Sequence, residues 1–378
     1  MKLQQLNRSV GLALRVADTH KPCVPMIRLT DHKPPFASAP VKDPLPRRSP
    51  EEAGADPSRI ADFLLALSGE KEIGIESVMV AKDGYVVAEA AREYASFEIW
   101  KNVFSESKTL TSLAIGFLFD EGKLRLDEKI TDIFSERLQP LQKLGFGGLN
   151  LRHLLTMSSL ADFNELQSMT TEEWVRGYFD AGLHGSPGSA FQYNSLNSFL
   201  LSAAVREKRG VGLFAYLDRK LFKPLGIENV YWEKSPDGVE KGGWGLYIRP
   251  EDVLKIVEMI RQNGVYRGKE ILSRRWVEAM CRPAMRPEEK SGEFDYGLHI
   301  WVGRESGARL LNGMFGQNAL TYPDTGYSVV AHASNADLFQ QGPFFRICDE
   351  YFSKNAKSRE EAGEKTDLSD AIRVFRNG

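Results

Sequence analysis

The stretch VFSESKTLTSLAIGFLFDEGKLRLDEKI, residues 103–130, carries the strongest signal in this chain. Apolar residues recur at helical spacing after Lys108, which predicts a buried helix over residues 109–121. Ser105 and Lys108 stand three residues apart at its start, so both side chains lie on one face of the first turn. Gly122 follows the apolar run and is typical of a helix C-cap.

This pair of residue types suits nucleophilic catalysis. A serine hydroxyl is a weak nucleophile until a base removes its proton, and a lysine can do so when burial lowers its pKa from about 10.4. Amides at a helix start can stabilise an oxyanion. The alternative is that Ser105 is an N-cap and Lys108 is solvated. A second Ser-x-x-Lys, Ser68 to Lys71, runs into a Gly-containing turn, so its two side chains would not share a helical face.

Composition excludes several classes of protein. The 378 residues are 42% hydrophobic, 26% charged and 10% aromatic, as in ordinary globular proteins. Forty-nine basic and 51 acidic residues give a net charge of −2, so no global field would attract nucleic acid or an anionic membrane, which leaves only a local patch as an alternative. Three scattered cysteines show no metal-ligand spacing and are too few for a disulfide scaffold. We expect a cytoplasmic protein without nucleic-acid or membrane partners.

Strand signals lie toward both ends of the chain. Residues 75–81 and 85–90 flank Asp83-Gly84, a strong signal for a β-hairpin. Helical patterns fill the middle of the chain. Strand character returns late, over residues 296–302, 309–311, 319–322 and 327–333. We therefore expect both ends to complete one sheet, with a helical region inserted between them.

The same patterns give provisional domain boundaries. The Pro-rich start predicts an extended arm, and the charged end predicts a solvated, partly disordered tail. The expected parts are an arm over 1–50, an α/β sandwich from 51–108 and 265–352, a helical domain over 109–264 and a tail over 353–378.

Residues 103–130 resemble the nucleophile segment of the serine β-lactamase and penicillin-binding protein-like superfamily, most closely that of class C β-lactamases and their esterase relatives. Matching segments follow in the family's order over roughly residues 49–352: LRHLLTMSSL, PGSAFQYNSLNSFLLSAAV, LFKPLGIENV, GGWGLYIRPEDVLKIVEMI, NGVYRGKEILSRRWVEAM and NGMFGQNALTYP. The resemblance implies a mixed α/β fold, with an antiparallel sheet flanked by helices and an inserted all-helical domain.

The resemblance also implies roles for individual residues. Ser105 would be the acylated nucleophile and Lys108 its proton partner. Tyr193 takes the place of the tyrosine in the family's Tyr-x-Asn motif, and would share a proton with the lysine and pass it to the leaving group. Ser195 occupies the position where the family usually has Asn, which puts recognition of an acylamide side chain in doubt.

The third family motif, Lys-Thr-Gly or His-x-Gly, matches Leu311-Asn312-Gly313 best. Gly313 fits because substrate must approach the backbone closely, and the Met314 amide would be the second oxyanion donor beside that of Ser105. Leu311 departs from the family, which has a cation at this position to pair with a β-lactam carboxylate. This departure favours neutral ester or amide substrates.

Other residues have two open interpretations. Gly316-Gln317 resembles a Gly-Gln pair of the esterase-like branch, and Gln317 is either a substrate contact or a turn residue. Trp244, Trp301 and Phe315 either line the pocket or belong to the core.

The sequence thus predicts a serine hydrolase, of carboxylesterase or amidase type, acting through an acyl-enzyme on a small ester or amide. No metal or organic cofactor is implied. One alternative is a β-lactamase or D-amino-acid peptidase. Another is a non-catalytic sensor module of penicillin-binding type. The oligomeric state is open.

Overall fold

The computed structural model describes residues 38–287, 293–335, 337, 342–356 and 366–378. The first 37 residues of the expected arm lie outside this range. The chain divides into two compact units, which we name by their content. The helical unit comprises Asn102–Leu246 and Asn263–Val302. The sheet unit comprises the described residues before Asn102, Tyr247–Gln262 and the described residues from Gly303 onward.

The described strands are, in chain order, β1 Ile75–Lys82, β2 Tyr85–Ala91, β3 Lys101–Asn102, β4 Tyr231–Trp232, β5 Leu246–Ile248, β6 Val265–Tyr266, β7 Lys269–Glu270, β8 Phe294–Tyr296, β9 Trp301–Gly303, β10 Arg309–Gly313, β11 Gln317–Tyr322 and β12 Tyr327–Ala333. The described α-helices are α1 Pro57–Gly69, α2 Ser107–Asp120, α3 Ile130–Ile133, α4 Pro140–Gly145, α5 Leu151–Leu155, α6 Glu165–Ser168, α7 Trp174–Ala181, α8 Ser195–Arg209, α9 Leu213–Leu217, α10 Pro250–Arg261, α11 Arg274–Met280, α12 Gly342–Phe352 and α13 Leu368–Asn377.

Five strands of the sheet unit lie in the order β2-β1-β12-β11-β10, and each neighbouring pair is antiparallel. The predicted hairpin is present, because Lys82 pairs with Tyr85 and only Asp83-Gly84 separates the strands. Asp83 has φ 50° and Gly84 has φ 88°, the positive values that a two-residue hairpin turn requires. The predicted mixed α/β fold with an antiparallel sheet is therefore confirmed.

Helix α10 packs on this sheet through polar as well as apolar contacts. Ser328 Oγ on β12 donates to Glu258 Oε1 on the helix at 2.5 Å. Arg309 on β10 donates to the Ile260 carbonyl at 2.6 Å. The expected boundaries placed residues 247–262 in the helical domain. In the structure these residues belong to the sheet unit, where α10 is hydrogen-bonded to β12 and β10.

The C-terminal end differs from the expected solvated tail. Helix α13 begins at a capped turn, where the Asp367 side chain accepts from the Ser369 and Asp370 amides. Phe375 and Ala371 on this helix are buried, and the Arg92 guanidinium lies 4.6 Å from the centre of the Phe375 ring. Charge predicted solvation here, but α13 carries one apolar stripe that packs on α1.

The predicted strand over residues 296–302 is interrupted. β8 ends at Tyr296 and β9 begins at Trp301, with His299 between them at φ 60°. A left-handed residue cannot continue a strand. His299 is buried, and it lies within the helical unit described next.

Helix α2 runs through the core of the helical unit. A Cβ on its Gly116 would lie 2.4 Å from Trp276 Cδ1, so α2 and α11 pack at a distance that only glycine permits. All its residues from Ser107 to Leu118 are buried. This burial fixes the helix that follows Ser105.

Candidate active site

Ser105 is the one residue between positions 101 and 118 that is not buried. It lies in the 3-10 turn Phe104–Glu106, directly before α2. The sequence predicted Ser105 in the first turn of the α-helix itself. In the structure Ser105 lies one short turn earlier, because the α-helix begins at Ser107. The segment therefore presents a single side chain, the Ser105 hydroxyl.

Strained backbone precedes this serine. Phe104 has φ 47°, which for a residue other than glycine costs about 1–2 kcal/mol. Two side chains hold it, because Asn102 Oδ1 accepts from the Phe104 amide at 3.0 Å and Ser107 Oγ donates to the Phe104 carbonyl. The Ser107 hydroxyl is thus used to hold the turn.

Lys108 is 1% exposed and directed at Ser105. Its Nζ lies 2.8 Å from Ser105 Oγ and donates to the Gly243 carbonyl at 2.9 Å. Burial lowers the pKa of Lys108 to about 7, against a smaller upward effect from the Glu165 carboxylate. Near neutral pH a large fraction of Lys108 is unprotonated and can accept the Ser105 proton.

Tyr193 lies over Lys108, with Nζ 4.7 Å from the ring centre. Its neighbours fix it: the Gln192 amide donates to the Met157 carbonyl at 2.7 Å, and the Asn194 side chain caps α8. The residue is 39% exposed over the whole side chain and backbone. Burial raises the pKa of Tyr193 and the interaction with Ser105 lowers it, so the phenol is protonated at neutral pH.

Sequence reasoning missed Glu165, the first residue of α6. Its Oε1 accepts from the Ser195 amide at 2.9 Å, and its charge raises the pKa of both Lys108 and Tyr193. Glu106, adjacent to Ser105, differs from Glu165, because burial raises its pKa well above the usual range. Glu165 lies in no motif, so only a structure could connect it with Lys108.

A buried histidine, His299, is hydrogen-bonded to α8 and to the Leu155 carbonyl. His299 Nδ1 lies 2.8 Å from the Leu155 carbonyl, which can only accept, so Nδ1 carries the proton and Nε2 accepts from Ser198 Oγ at 2.8 Å. Burial, and then the charge of Lys108, lower the pKa of His299 to about 3. His299 is therefore neutral near pH 7.

Gly243 packs against α8, and its carbonyl accepts from Lys108. A Cβ here would lie 2.8 Å from the Ser195 carbonyl oxygen and 3.3 Å from Ser198 Cβ. Only glycine lets the loop pass so close to α8 that its carbonyl can accept from Lys108. Ser195, the departure from the family's Asn, is the first residue of α8 and is 7% exposed.

Aromatic side chains surround Tyr193 within the helical unit. The rings of Tyr193 and Trp301 stack at 6.1 Å and 19°, and Tyr296 and Phe191 meet Tyr193 at 6.2 and 6.5 Å. Trp244 stacks on Trp174 at 5.6 Å. Of the three aromatic residues considered as pocket walls, Trp301 is thus in direct contact with the predicted catalytic tyrosine.

The remaining predicted residues lie together in the sheet unit. Asn312 and Gly313 end β10, Met314 begins a 3-10 turn, and Gln317 begins β11. Asn312 Nδ2 donates to Asn318 Oδ1 at 2.9 Å. Gln317 is fully buried, and its Nε2 donates to the Ala333 carbonyl at 2.6 Å.

The described residues contain no group of three or more His, Cys, Asp or Glu side chains placed to hold a metal ion. Within the same ranges, none of the helices is long and apolar enough to cross a bilayer.

Known proteins similar to this chain include several hydrolases. The model of the Beta-lactamase family matches residues 70–341. The 6-aminohexanoate-dimer hydrolase of Paenarthrobacter ureafaciens is 25% identical over 297 residues, which cover 71% of this chain and 74% of that protein. Esterase EstB of Burkholderia gladioli is 24% identical over 273 residues, 54% of this chain and 69% of the esterase. A penicillin-binding protein homolog from Caulobacter crescentus has the same fold, with a TM-score of 0.63 at 15% identity over 77% of this chain and 95% of that one.

Proposed function

The chain belongs to the Beta-lactamase family, and we propose that it is a serine hydrolase that cleaves small, uncharged esters or amides through an acyl-enzyme. One observation carries this proposal: Nζ of the buried Lys108 lies 2.8 Å from the hydroxyl of Ser105, the one residue of 101–118 that is not buried. Burial lowers the pKa of this lysine to about 7. Relatives named as a dimer hydrolase and an esterase support hydrolysis.

In the proposed first step, unprotonated Lys108 takes the proton of Ser105 as Oγ bonds to the substrate carbonyl carbon. The negative charge that develops on the carbonyl oxygen is received by the backbone amide of Ser105. Protonated Tyr193 then gives its proton to the leaving oxygen or nitrogen as the bond to it breaks, and is reprotonated by Lys108. In the second step, water attacks the acyl group and releases Ser105.

Leu311 bears on the choice of substrate. It is apolar where the family that this chain resembles has a cation. By that resemblance, the carboxylate of a β-lactam would lose water without gaining the cation that the family supplies, which is unfavourable. We therefore propose neutral esters or amides ahead of β-lactams.

Cys348 is buried with a free thiol, which supports the cytoplasmic location that we also propose.

The test is covalent labelling combined with turnover. A fluorophosphonate should add to the wild-type protein and to the Ser68→Ala variant, but not to Ser105→Ala, as measured by intact mass. The same two active proteins should hydrolyse p-nitrophenyl acetate. Labelling that survives in Ser105→Ala would refute the site.

Two other outcomes would favour the alternatives. Faster turnover of a chromogenic cephalosporin than of p-nitrophenyl acetate would indicate a β-lactamase or peptidase. Labelling of Ser105 without turnover of either substrate would indicate a sensor module.

A further inference from the structure

Four aromatic rings of the helical unit form one cluster around Tyr193. Three of them contact one another: Phe191 and Tyr193 have their centres 6.5 Å apart, and Trp301 lies 6.1 Å from each. The fourth ring, that of Tyr296, contacts all three at 5.3, 6.2 and 4.7 Å, from Phe191, Tyr193 and Trp301 in turn.

The four rings differ in exposure. Tyr296 is 1% exposed, whereas Tyr193 is 39% exposed and Phe191 and Trp301 are half-buried. Because the buried ring contacts all three others, the exposed parts of those three lie on the side away from it and join into one surface. We call this surface of Phe191, Tyr193 and Trp301 the aromatic shelf. Contiguous exposed apolar surface of this kind often marks a binding site.

The shelf adjoins the reacting groups through Tyr193. Burial raises the pKa of Tyr193 and a side-chain hydrogen bond with Ser105 lowers it, so the phenol hydroxyl lies beside that serine. In the proposed reaction this hydroxyl gives its proton to the leaving atom, which must lie within hydrogen-bond distance of it. The group carried by the leaving atom therefore lies next to Tyr193, within reach of the two rings that contact it.

The geometry of the cluster suits a further ring. Tyr193 and Trp301 stack with their planes 19° apart, and Phe191 and Trp301 are tilted by 59°. Aromatic rings favour offset-stacked and edge-to-face contacts at centre distances of about 4.5–7 Å, in addition to what the burial of their surface contributes. An aromatic group beside the shelf gains both terms, whereas an aliphatic group gains burial alone.

We propose that the aromatic shelf binds the leaving group, so that the preferred substrates are neutral esters whose alcohol carries an aromatic ring. Phe191 and Trp301 are then specificity-determining residues. This inference rests on the proposed function, in which Tyr193 protonates the leaving oxygen.

The first measurement compares two isomeric esters with the wild-type protein. Benzyl acetate carries its ring on the alcohol, and methyl phenylacetate carries the same ring on the acyl group, while the two leaving alcohols are similar in acidity. One ring contact typically contributes about 2–10-fold beyond burial. We expect kcat/KM, measured by acid release at constant pH, to be at least roughly 3-fold higher for benzyl acetate.

The decisive measurement is selective loss in Trp301→Leu, which keeps an apolar side chain and removes the ring. It should lower kcat/KM for benzyl acetate by roughly 5–20-fold, and that for methyl phenylacetate and ethyl acetate by less than about 3-fold. The ratio between substrates is the readout, because a displaced Tyr193 would slow all three esters alike. Trp301→Phe, which keeps a ring, should retain most of the preference.

A matched control is Phe214→Leu, another half-buried ring of the helical unit. Phe214 lies on α9 and packs on Phe222 at 6.3 Å. Its loss should leave the ratio of benzyl acetate to ethyl acetate unchanged. If Trp301→Leu does not fold, the same ratio in Phe191→Leu decides, with the same selective loss expected.

Equal loss on all three esters would show that Trp301 acts only by holding Tyr193, and a larger loss on methyl phenylacetate would assign the shelf to the acyl group. Either result, or a wild type without preference between the isomers, would overturn this inference while labelling and turnover still upheld the proposed function. A wild type that neither labels at Ser105 nor hydrolyses any ester would reject the proposed function itself.

Discussion

Lys108 should govern the pH dependence of the reaction. Burial lowers its pKa to about 7, and only the unprotonated amine accepts the Ser105 proton, so kcat/KM for p-nitrophenyl acetate should rise as pH increases through about 7. Glu165 raises this pKa, because its negative charge favours the ammonium form. Glu165→Gln should therefore move the rising limb to lower pH, as measured from pH 5 to 9.

The control is Glu173→Gln, which removes another exposed carboxylate of the helical unit. Its profile should coincide with that of the wild type. An unmoved limb in Glu165→Gln would mean that Glu165 does not act on the catalytic base.

Lys108 and Tyr193 should act as one proton relay. Lys108→Ala and Tyr193→Phe should each lower kcat by the 10²–10⁴-fold typical of lost acid–base catalysis. The double variant should lose little more than the worse single variant, because the two groups share one proton. Fully multiplicative losses in the double-mutant cycle would mean that they work independently.

Gly243, in the loop before β5, should tolerate substitution as poorly as Lys108 and Tyr193 do. Gly243→Ala adds a Cβ that would lie 2.8 Å from the Ser195 carbonyl oxygen on α8, and such overpacking costs about 1–3 kcal/mol of unfolding free energy. The displaced carbonyl would also release Lys108. We expect a lower urea midpoint together with slower ester hydrolysis.

Gly148→Ala is the matched control, because no atom lies within 4 Å of the added Cβ. Its urea midpoint should equal or exceed that of the wild type. A similar loss in both variants would show that the close approach to α8 is not the cause.

Elements with local signals were predictable from sequence. Asp83-Gly84 specified its hairpin because two adjacent positive φ values suit those residues, and Ser105 with Lys108 were found because helical spacing places them on one face. Glu165 and His299 were not predictable, because they meet Ser195 and Ser198 across 30 and 101 residues of chain. The interruption at His299 followed from the same long-range packing.

Over the whole molecule, the C-terminal helix should contribute measurably to stability. Phe375 on α13 is fully buried, and Arg92 donates to its carbonyl at 2.5 Å. Phe375→Ala should lower the unfolding free energy by about 3–5 kcal/mol, as for other buried phenylalanines. Val374→Ala, at a position 47% exposed, should have a much smaller effect in the same denaturation experiment. Equal effects would mean that α13 does not pack as described.

The burial of every other residue from Lys101 to Leu118 simplifies chemical identification of the proposed nucleophile. Trypsin cuts after Lys101 and Lys108, which releases the peptide NVFSESK. This fragment holds two hydroxyl side chains, and that of Ser107 is fully buried and bonded to the Phe104 carbonyl. An adduct mass on this one fragment of a protein labelled in its folded state therefore identifies Ser105, without fragmentation of the peptide.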